Sequence, residues 1–415
     1  MSVIYNIAII FYRFVIGIAS LFNPKAKLWI EGRKGWKDEL ENFVANNVKP
    51  IVWVHAASLG EFEQGRPIIE DIKANHKGYS IVLTFFSPSG FEIRKNYDKA
   101  DYICYLPLDT RANALNFISI LKPEMAIIVK YEFWLNHLSV LREKDIAHYL
   151  VSGIFRESQV FFKNYGAIFR KGLNGFEEIF VQNDSSASLL RGIGYDKVIT
   201  AGDTRFDRVL ALKDKFMPLA DIQLFKSNSK LIVVGSSWPK EEELLLNFIK
   251  ANLDIDVKYI IAPHEIDHSR IDSLVENSPL VSGKLSDIGS SDVSELQLLI
   301  VDSIGLLSKI YFYADISVIG GGYNAGIHNT LEAAVWGKPV VFGPKYHNFR
   351  EAVELIKEGA AYEVRNPSEF NKTLLSLLND DELRAKSGIK AGNYCRDNSG
   401  ASRAIMQKLA LNLND

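Results

Sequence analysis

Short apolar runs alternate with amphipathic segments from residue 51 onward, and this alternation limits the fold more than any other feature of the sequence. Near-continuous apolar strands separated by helices are typical of a parallel sheet that helices cover on both faces. The segments Glu61–Asn75 and Arg111–Leu121 have the apolar spacing of such helices. The first series predicts the strands Ile51–His55, Ser80–Phe85, Tyr102–Leu106, Met125–Lys130, His148–Ser152, Ile179–Val181 and Val198–Ala201.

A second series of the same kind follows a polar stretch between Asp203 and Lys230. It begins with the run LIVVGSS and continues with the predicted strands Tyr259–Ala262, Leu298–Val301, Ile316–Ile319 and Val340–Phe342. A chain of 415 residues exceeds the size that one hydrophobic core usually supports. We therefore predict an α/β protein with two Rossmann-like, doubly wound domains that face a central cleft.

The predicted domains are an N-terminal membrane-associated helix over residues 1–24, a first domain over residues 25–202 and a second domain over residues 203–415. A final helix is predicted over Ser402–Leu413, with Ile405, Leu409 and Leu413 on one face. This apolar face can pack on any neighbouring surface, the first domain included.

The composition excludes two classes of protein. The 48 basic and 50 acidic residues give a net charge of -2, without the basic excess or stripe that a nucleic-acid-binding protein normally carries. The two cysteines, Cys104 and Cys395, lie far apart and fit no metal or redox spacing. A reducing compartment is therefore the simplest interpretation, and a disulfide framework is disfavoured.

The N-terminus is unusually apolar, because the run VIYNIAIIFYRFVIGIASLF over residues 3–22 contains Arg13 as its only charge. Such a run is long enough to cross a bilayer. Basic and aromatic residues follow it and favour the headgroup level on the cytoplasmic side: Lys25, Lys27, Trp29, Arg33, Lys34 and Trp36. We predict membrane anchorage, and the sequence leaves open whether the helix spans the bilayer or lies in its interface. A buried core helix is the alternative, whereas a signal peptide is disfavoured because a cleavage site is lacking.

The stretch VIGGGYNAGIHNTLEAAVWGKPVVFGP, residues 318–344, joins a predicted strand to a predicted helix through a glycine-rich loop. Glycines allow close backbone approach to a ligand, and a helix beginning at Asn329 would offer free N–H groups to a phosphate. Glu332 would then accept hydrogen bonds from sugar hydroxyls. The stretch lacks the Gly-Lys-Ser/Thr of a P-loop. The alternative is a glycine-rich turn with a capped helix and no ligand.

Two glutamates follow predicted strands of the first domain. Glu61 belongs to HAASLGEFEQG and Glu132 to KYEFWLN. Acids at the carboxyl ends of two strands of one sheet can face a common pocket, where one acts as a general base. The alternative for Glu61 is a capping box with Ser58, and the alternative for Glu132 is a solvated acid at a helix start.

Residues 264–268 spell His-Glu-Ile-Asp-His, the letters of a zinc-protease motif. That motif requires both histidines on one helical face, whereas Pro263 and His264 directly follow a predicted strand. A catalytic zinc also needs a third protein ligand, and the sequence offers no obvious one. We therefore do not predict a metal site.

The stretches HAASLGEF, KYEFWLN, APHE and HNTLEAA resemble, in order and spacing, those of bacterial 3-deoxy-D-manno-octulosonic acid (Kdo) transferases. The resemblance covers nearly the whole chain, including the N-terminal helix. It implies a GT-B glycosyltransferase that transfers Kdo from CMP-Kdo to the lipid A precursor, lipid IVA, in lipopolysaccharide biosynthesis. It further implies inversion, no metal in the transfer step, no other cofactor and a location at the cytoplasmic face of the bacterial inner membrane.

Carried over residue by residue, the resemblance makes Glu61 the general base and Glu132 a second acidic residue on the acceptor side. The implied CMP and donor site comprises Pro263, His264, Ile304, Gly305, Leu306, Asn329, Thr330, Leu331 and Glu332. Four positions depart from the family pattern: His264 replaces a frequent arginine, Leu306 a glutamate, Thr330 a proline and Arg205 a lysine. At His264 and Leu306, backbone contacts are therefore better supported than side-chain contacts.

Two rival functions remain open at this stage. One is another GT-B nucleotide-sugar enzyme, either an epimerase or a different glycosyltransferase, which a donor screen would separate. The other is a membrane-tethered nucleotide-sugar-binding protein without catalysis, which would bind CMP but be insensitive to Glu61→Gln. The number of Kdo residues transferred, the acyl preference and the oligomeric state are not encoded in recognisable motifs.

Overall fold

The computed structural model describes residues 3–130, 132–288, 293–410 and 413. The chain divides into two compact units. Unit 1 comprises Met1–Arg208 and Ser399–Asp415, and unit 2 comprises Val209–Asn398. The C-terminal segment therefore belongs to the same unit as the N-terminus.

Unit 1 contains a seven-stranded sheet in the order β3-β2-β1-β4-β5-β6-β7, and every neighbouring pair is parallel. The strands are β1 Ile51–Ala56, β2 Ser80–Phe85, β3 Tyr102–Tyr105, β4 Met125–Val129, β5 Ala147–Gly153, β6 Glu178–Val181 and β7 Val198–Thr200. The helices are α1 Val3–Ala19, α2 Pro24–Glu31, α3 Trp36–Asn46, α4 Leu59–Asn75, α5 Pro88–Arg94, α6 Arg111–Leu121, α7 Leu135–Glu143, α8 Ala167–Leu173, α9 Asp184–Gly192 and α10 Thr204–Asp214, the last of which continues into unit 2. The central strands β1 and β4 are buried along their whole length because helices cover both faces of the sheet.

Unit 2 repeats this architecture with the strand order β10-β11-β9-β8-β12-β13-β14, again all parallel. The strands are β8 Lys230–Ser237, β9 Val257–Pro263, β10 Ser282–Lys284, β11 Leu298–Ile300, β12 Ile316–Ile319, β13 Val340–Phe342 and β14 Ala361–Glu363. The helices are α11 Ala220–Lys226, α12 Pro239–Ala251, α13 His268–Glu276, α14 Leu307–Ile310, α15 Leu331–Ala334, α16 Arg350–Lys357, α17 Pro367–Asn379, α18 Asp381–Asp397 and α19 Ala401–Leu409, of which α19 lies in unit 1.

The prediction of two doubly wound parallel sheets is confirmed, and each predicted strand overlaps an observed one. Two strands were not predicted, β10 and β14. Both are three-residue edge strands, and their side chains are mostly only half-buried. Edge strands of natural sheets are often short and polar, so they lack the apolar run that reveals a central strand.

The final helix is shorter than predicted, because α19 ends at Leu409. Residues 411 and 412 of the predicted helix lie outside the described residues. The expected apolar face is present, since Ile405, Leu409 and Leu413 are all buried in the core of unit 1. This core includes Phe62 of α4, so the end of the chain packs beside the helix that begins the first candidate motif.

The N-terminal helix α1 is buried on one face and exposed on the other. Its inner face contributes Ile9 to a small apolar cluster with Trp29 and Leu108. Its outer face exposes large apolar side chains: Ile4, Ile7, Ile10, Phe11, Phe14, Val15 and Ile18. Over residues 3–130, 132–288 and 293–410, no helix combines the length and the apolar character needed to cross a bilayer. The first two residues of the predicted anchor lie outside the described residues.

Candidate active site

Glu61 lies in the first turn of α4, directly beyond the carboxyl end of β1. The capping box, which was the alternative interpretation of Glu61, is not formed. Within the described part of the chain, the Ser58 side chain accepts no hydrogen bond from the first turn, and its hydroxyl instead donates to Oε2 of Glu61. The Glu61 side chain is buried, and its Oε1 lies 3.7 Å from Nζ of Lys130. The serine therefore orients the carboxylate instead of capping the helix.

Glu132 lies between β4 and α7, just beyond the carboxyl end of the strand that pairs with β1. Burial, followed by the negative charge of Glu61, raises the pKa of Glu132 to about 7, against the opposing effects of a hydrogen bond with Trp134 and the charge of Lys130. The predicted juxtaposition of the two glutamates is thus present. Lys130 itself has a φ of 72°, an uncommon left-handed conformation for a residue with a side chain.

The same edge of the unit 1 sheet contains two aromatic residues that sequence reasoning missed. The indole N–H of Trp134 donates to Nε2 of His55, the residue that begins the HAASLGEF stretch, over 3.1 Å. Burial and the nearby His137 lower the pKa of His55 to about 3, so its ring is neutral and can accept this hydrogen bond. Both residues stood within quoted motifs, but only the parallel pairing of β1 with β4 brings them together.

In unit 2, three aromatic side chains stack beyond the ends of β8, β9 and β12. The ring of His264 lies 4.1 Å from that of His328 and 5.0 Å from that of Trp238. The indole N–H of Trp238 donates to Nε2 of His328 over 3.0 Å. Burial, followed by the proximity of His264, lowers the pKa of His328 to about 4, so the ring is neutral and accepts this bond. Trp238 and His328 are additions to the predicted site.

The glycine loop after β12 is built for close backbone packing. A Cβ on Gly320 would collide with the backbone carbonyl of Ser236, and Gly321 has a φ of 88°. The expected helix is much shorter than predicted. It is a single turn that begins at Leu331 and ends at Ala334. Asn329 and Thr330 precede the helix instead of beginning it. A helix of four residues does not support the predicted phosphate site at its N-terminus.

Asn329 and Glu332 are nevertheless joined. The side-chain amide of Asn329 donates to Oε1 of Glu332 over 3.0 Å, and its Oδ1 accepts from the backbone N–H of Leu331 over 3.1 Å. Thr330 is buried, and its hydroxyl oxygen has no hydrogen-bond partner within the described part of the chain. This arrangement fixes the Glu332 carboxylate as a hydrogen-bond acceptor at the edge of the loop.

The remaining predicted donor residues lie at strand ends of the same sheet. Pro263 is the last residue of β9, and the backbone N–H of His264 donates to Ser237 at the end of β8 over 3.0 Å. Ile304 is 89% exposed, Gly305 has a φ of 95° and Leu306 directly precedes α14. An exposed isoleucine offers no polar side-chain contact, so Ile304 itself can contact a polar ligand only through its backbone.

The two histidines of the zinc-protease lettering do not share a helical face. His264 is stacked on His328 after β9, whereas His268 is the first residue of α13. Asp267 caps α13 by accepting hydrogen bonds from the backbone of Ser269 and Arg270. Asp267, the acidic residue next to His268 in this pattern, therefore caps a helix.

The chain is similar in sequence to known proteins. A family model described as 3-deoxy-D-manno-octulosonic-acid transferase (kdotransferase) matches residues 32–208. The chain is 29% identical over 364 residues to a 3-deoxy-D-manno-octulosonic acid transferase of Aquifex aeolicus, covering 85% of this chain and 92% of the relative. It is 26% identical over 373 residues to a protein of the same name from Rickettsia prowazekii, covering 88% of this chain and 78% of the relative.

A solved structure of similar architecture is the UDP-GlcNAc 2-epimerase from Neisseria meningitidis bound to UDP-GlcNAc. It matches with a TM-score of 0.60 and 15% identity, covering 87% of this chain and 99% of the epimerase. At this level of identity the likeness concerns the fold alone.

Proposed function

We propose that the chain is a bacterial Kdo transferase, a glycosyltransferase of lipopolysaccharide biosynthesis that transfers Kdo from CMP-Kdo to the lipid A precursor, lipid IVA. Its similarity to a Kdo transferase family model and to curated Kdo transferases supports this proposal. The transfer inverts the anomeric centre and uses no metal ion. The observation that carries the proposal is the pair of glutamates at the carboxyl ends of β1 and β4, of which Glu61 is buried and Glu132 half-buried.

Glu61 is the general base in this mechanism. Its carboxylate takes the proton of the acceptor hydroxyl while that oxygen forms a bond to the anomeric carbon of Kdo and the CMP phosphate leaves from the opposite face. Ser58 and Lys130 bind different oxygens of the carboxylate, so the side chain is held in one orientation. A fixed orientation is what a base needs in order to meet a hydroxyl proton at hydrogen-bond distance.

Glu132 has a different role because its pKa is near neutrality. In its protonated form it donates a hydrogen bond and carries no negative charge beside Glu61. Since Kdo is itself a carboxylic acid, a neutral neighbour also limits repulsion between the protein and the sugar. Two carboxyl groups whose environments separate their pKa values commonly divide the acid and base tasks of a reaction.

Unit 2 binds the CMP portion of the donor. The stacked rings of Trp238, His264 and His328 offer flat surfaces and neutral imidazoles, and the close packing of the glycine loop on neighbouring backbone places it beside them. Glu332, held by Asn329, accepts hydrogen bonds from ribose hydroxyls. Pro263, Ile304, Gly305, Leu306, Thr330 and Leu331 contribute through backbone groups or packing.

Helix α1 lies in the membrane interface at the cytoplasmic face, where the lipid acceptor resides. Its exposed apolar face, with Phe11 and Phe14, suits insertion at the level of the lipid headgroups. Lys25 and Lys27 on α2 are exposed and suit contact with anionic headgroups. An interfacial position also agrees with a helix of 17 residues whose opposite face is packed on unit 1.

The direct test is mass spectrometry of the products formed from CMP-Kdo and the lipid A precursor, with UDP-GlcNAc as a parallel donor. The proposal predicts Kdo-modified lipid with CMP-Kdo and no modified lipid with UDP-GlcNAc. Conversion of UDP-GlcNAc to an epimer, or transfer from it, would identify the rival enzyme class. CMP binding without any product would identify a binding protein.

A further inference from the structure

The inner face of α1 contacts the segment that contains Glu132. The Tyr5 hydroxyl donates to Oδ2 of Asp109 over 2.5 Å, and Asp109 is buried beyond the end of β3. The same Oδ2 also accepts the backbone N–H of Asn136 over 3.0 Å, and Oδ1 accepts the backbone N–H of His137 over 2.9 Å. These are first-turn N–H groups of α7, which no carbonyl within the helix can satisfy. Asp109 thus joins α1 to the start of the helix that follows Glu132.

A second polar contact reinforces the first. The side-chain amide of Asn136 donates to Oδ1 of Asn6 on α1 over 2.9 Å. His137 also binds Asp109 through its Nδ1, over 2.6 Å. Although burial of Asp109 raises its pKa, the hydrogen bonds from His137 and Tyr5 hold that pKa below its ordinary value. The carboxylate is therefore ionised and fully engaged at neutral pH.

A series of packed aromatic rings also joins α1 to this segment. The Tyr12 ring is stacked on Phe86 with 6.2 Å between centroids, and Phe86 lies 4.3 Å from Trp134. Trp29 packs edge-on against both Tyr12 and Phe86. Burial raises the pKa of the Tyr12 hydroxyl, the charge of Arg33 lowers it, and the charge of Glu132 raises it.

We infer that Tyr5 and Tyr12 of α1 are positioning residues that hold the segment 132–134 and thereby place Glu132 beside Glu61. Helix α1 accordingly serves two purposes with two faces: the outer face meets the membrane, and the inner face completes the acceptor-side half of the active site. This inference rests on the proposed role of Glu132 in transfer. The charged and titratable groups that face Glu132 are Glu61 of α4, Lys130 at the end of β4 and Tyr12 of α1.

The test compares matched substitutions on the two faces of α1 in the full-length protein. Tyr12→Ala and Phe11→Ala change adjacent exposed residues of α1, and the Tyr12 ring packs on Trp29 and Phe86. Tyr12→Phe is the conservative rescue, and Tyr5→Phe removes only the hydroxyl that binds Asp109. Each variant is assayed for transfer from CMP-Kdo to detergent-dispersed lipid A precursor over pH 5–9, for flotation with anionic lipid vesicles and for melting temperature.

We expect Tyr12→Ala and Tyr5→Phe to lower kcat at least about tenfold without changing the KM for CMP-Kdo, because a displaced acid cannot act in the transition state. In Tyr12→Ala, exposure of Glu132 to water moves the pH midpoint assigned to that group to a lower pH. Tyr12→Phe restores both values. Phe11→Ala weakens vesicle flotation and leaves kcat and the pH midpoint unchanged.

Glu132→Gln distinguishes the role of Glu132 in transfer from the positioning role of Tyr5 and Tyr12. If it leaves kcat and the pH profile as in wild type, the proposed role of Glu132 is wrong. If Glu132→Gln removes the pH midpoint while Tyr12→Ala and Tyr5→Phe superimpose on wild type, the positioning role of α1 is wrong. Equal losses of kcat in Phe11→Ala and Tyr12→Ala would also contradict it, because the effect would then follow membrane contact alone.

Discussion

Replacing Glu132 by glutamine is expected to stabilise the protein while it impairs transfer. Folding raises the pKa of Glu132 from an ordinary value of 4.5 to about 7. Between these values the folded state binds a proton that the unfolded state has released, so the free energy of unfolding falls as the pH rises. The raised pKa of Glu132 therefore lowers the free energy of unfolding. The loss is largest above pH 7 and absent below pH 4.

The size of this cost follows from the shift. At about 1.4 kcal/mol for each pKa unit, ionised Glu132 destabilises the fold by about 3 kcal/mol at pH 8.5 and by about 1 kcal/mol at pH 5. For a unit of this size, 1 kcal/mol changes Tm by about 2–4 °C. Glu132→Gln, which carries no charge, should accordingly raise Tm by about 5–10 °C at pH 8.5 and by much less at pH 5.

Differential scanning calorimetry at the two pH values measures this difference. Glu177→Gln is the matched control, because Glu177 is an exposed acid of the same unit. The control should change Tm by a similar small amount at both pH values. A stabilisation by Glu132→Gln that is equal at pH 5 and pH 8.5 would refute the reasoning, since it would owe nothing to ionisation.

Three further predictions concern unit 2. Glu332→Ala should weaken CMP binding by about 0.5–1.5 kcal/mol, as measured by titration calorimetry, because ribose hydroxyls lose an acceptor; unchanged affinity in the folded variant would count against this site. Trp238→Leu should also weaken CMP binding, since His328 loses its indole donor and the stack loses a ring; a fluorescence titration that matches wild type would contradict this. Gly320→Ala should lower Tm by several degrees, because its Cβ meets the backbone of Ser236, and a wild-type melting curve would show that the loop can yield.

The strands of both sheets could be predicted because central parallel strands are buried on both faces and therefore appear as apolar runs. The run IVWVH is an example, since every residue of β1 is buried. The edge strand Ser282–Lys284 has no such run, because one of its sides pairs with no strand and its residues are half-buried. Sequence patterns reveal burial, and edge strands are the least buried.

The candidate site was predictable where it depends on position along a strand. Glu61 and Glu132 follow neighbouring strands, and a parallel sheet necessarily brings such residues to one edge. The stack of Trp238, His264 and His328 was not predictable, because its members come from three strand ends whose order the sequence does not give. The capping box failed for a local reason, since a serine hydroxyl beside a carboxylate can donate to it instead of accepting from the backbone.

The most direct test of the account is the turnover of Glu61→Gln with CMP-Kdo and the lipid A precursor, followed by mass spectrometry of the lipid product. Glutamine keeps the size of the side chain but cannot take the acceptor proton. The variant should fold, bind CMP with wild-type affinity and lose at least about 10²-fold in transfer rate. Turnover near that of wild type, in a variant that melts normally, would contradict the role of Glu61 as the general base.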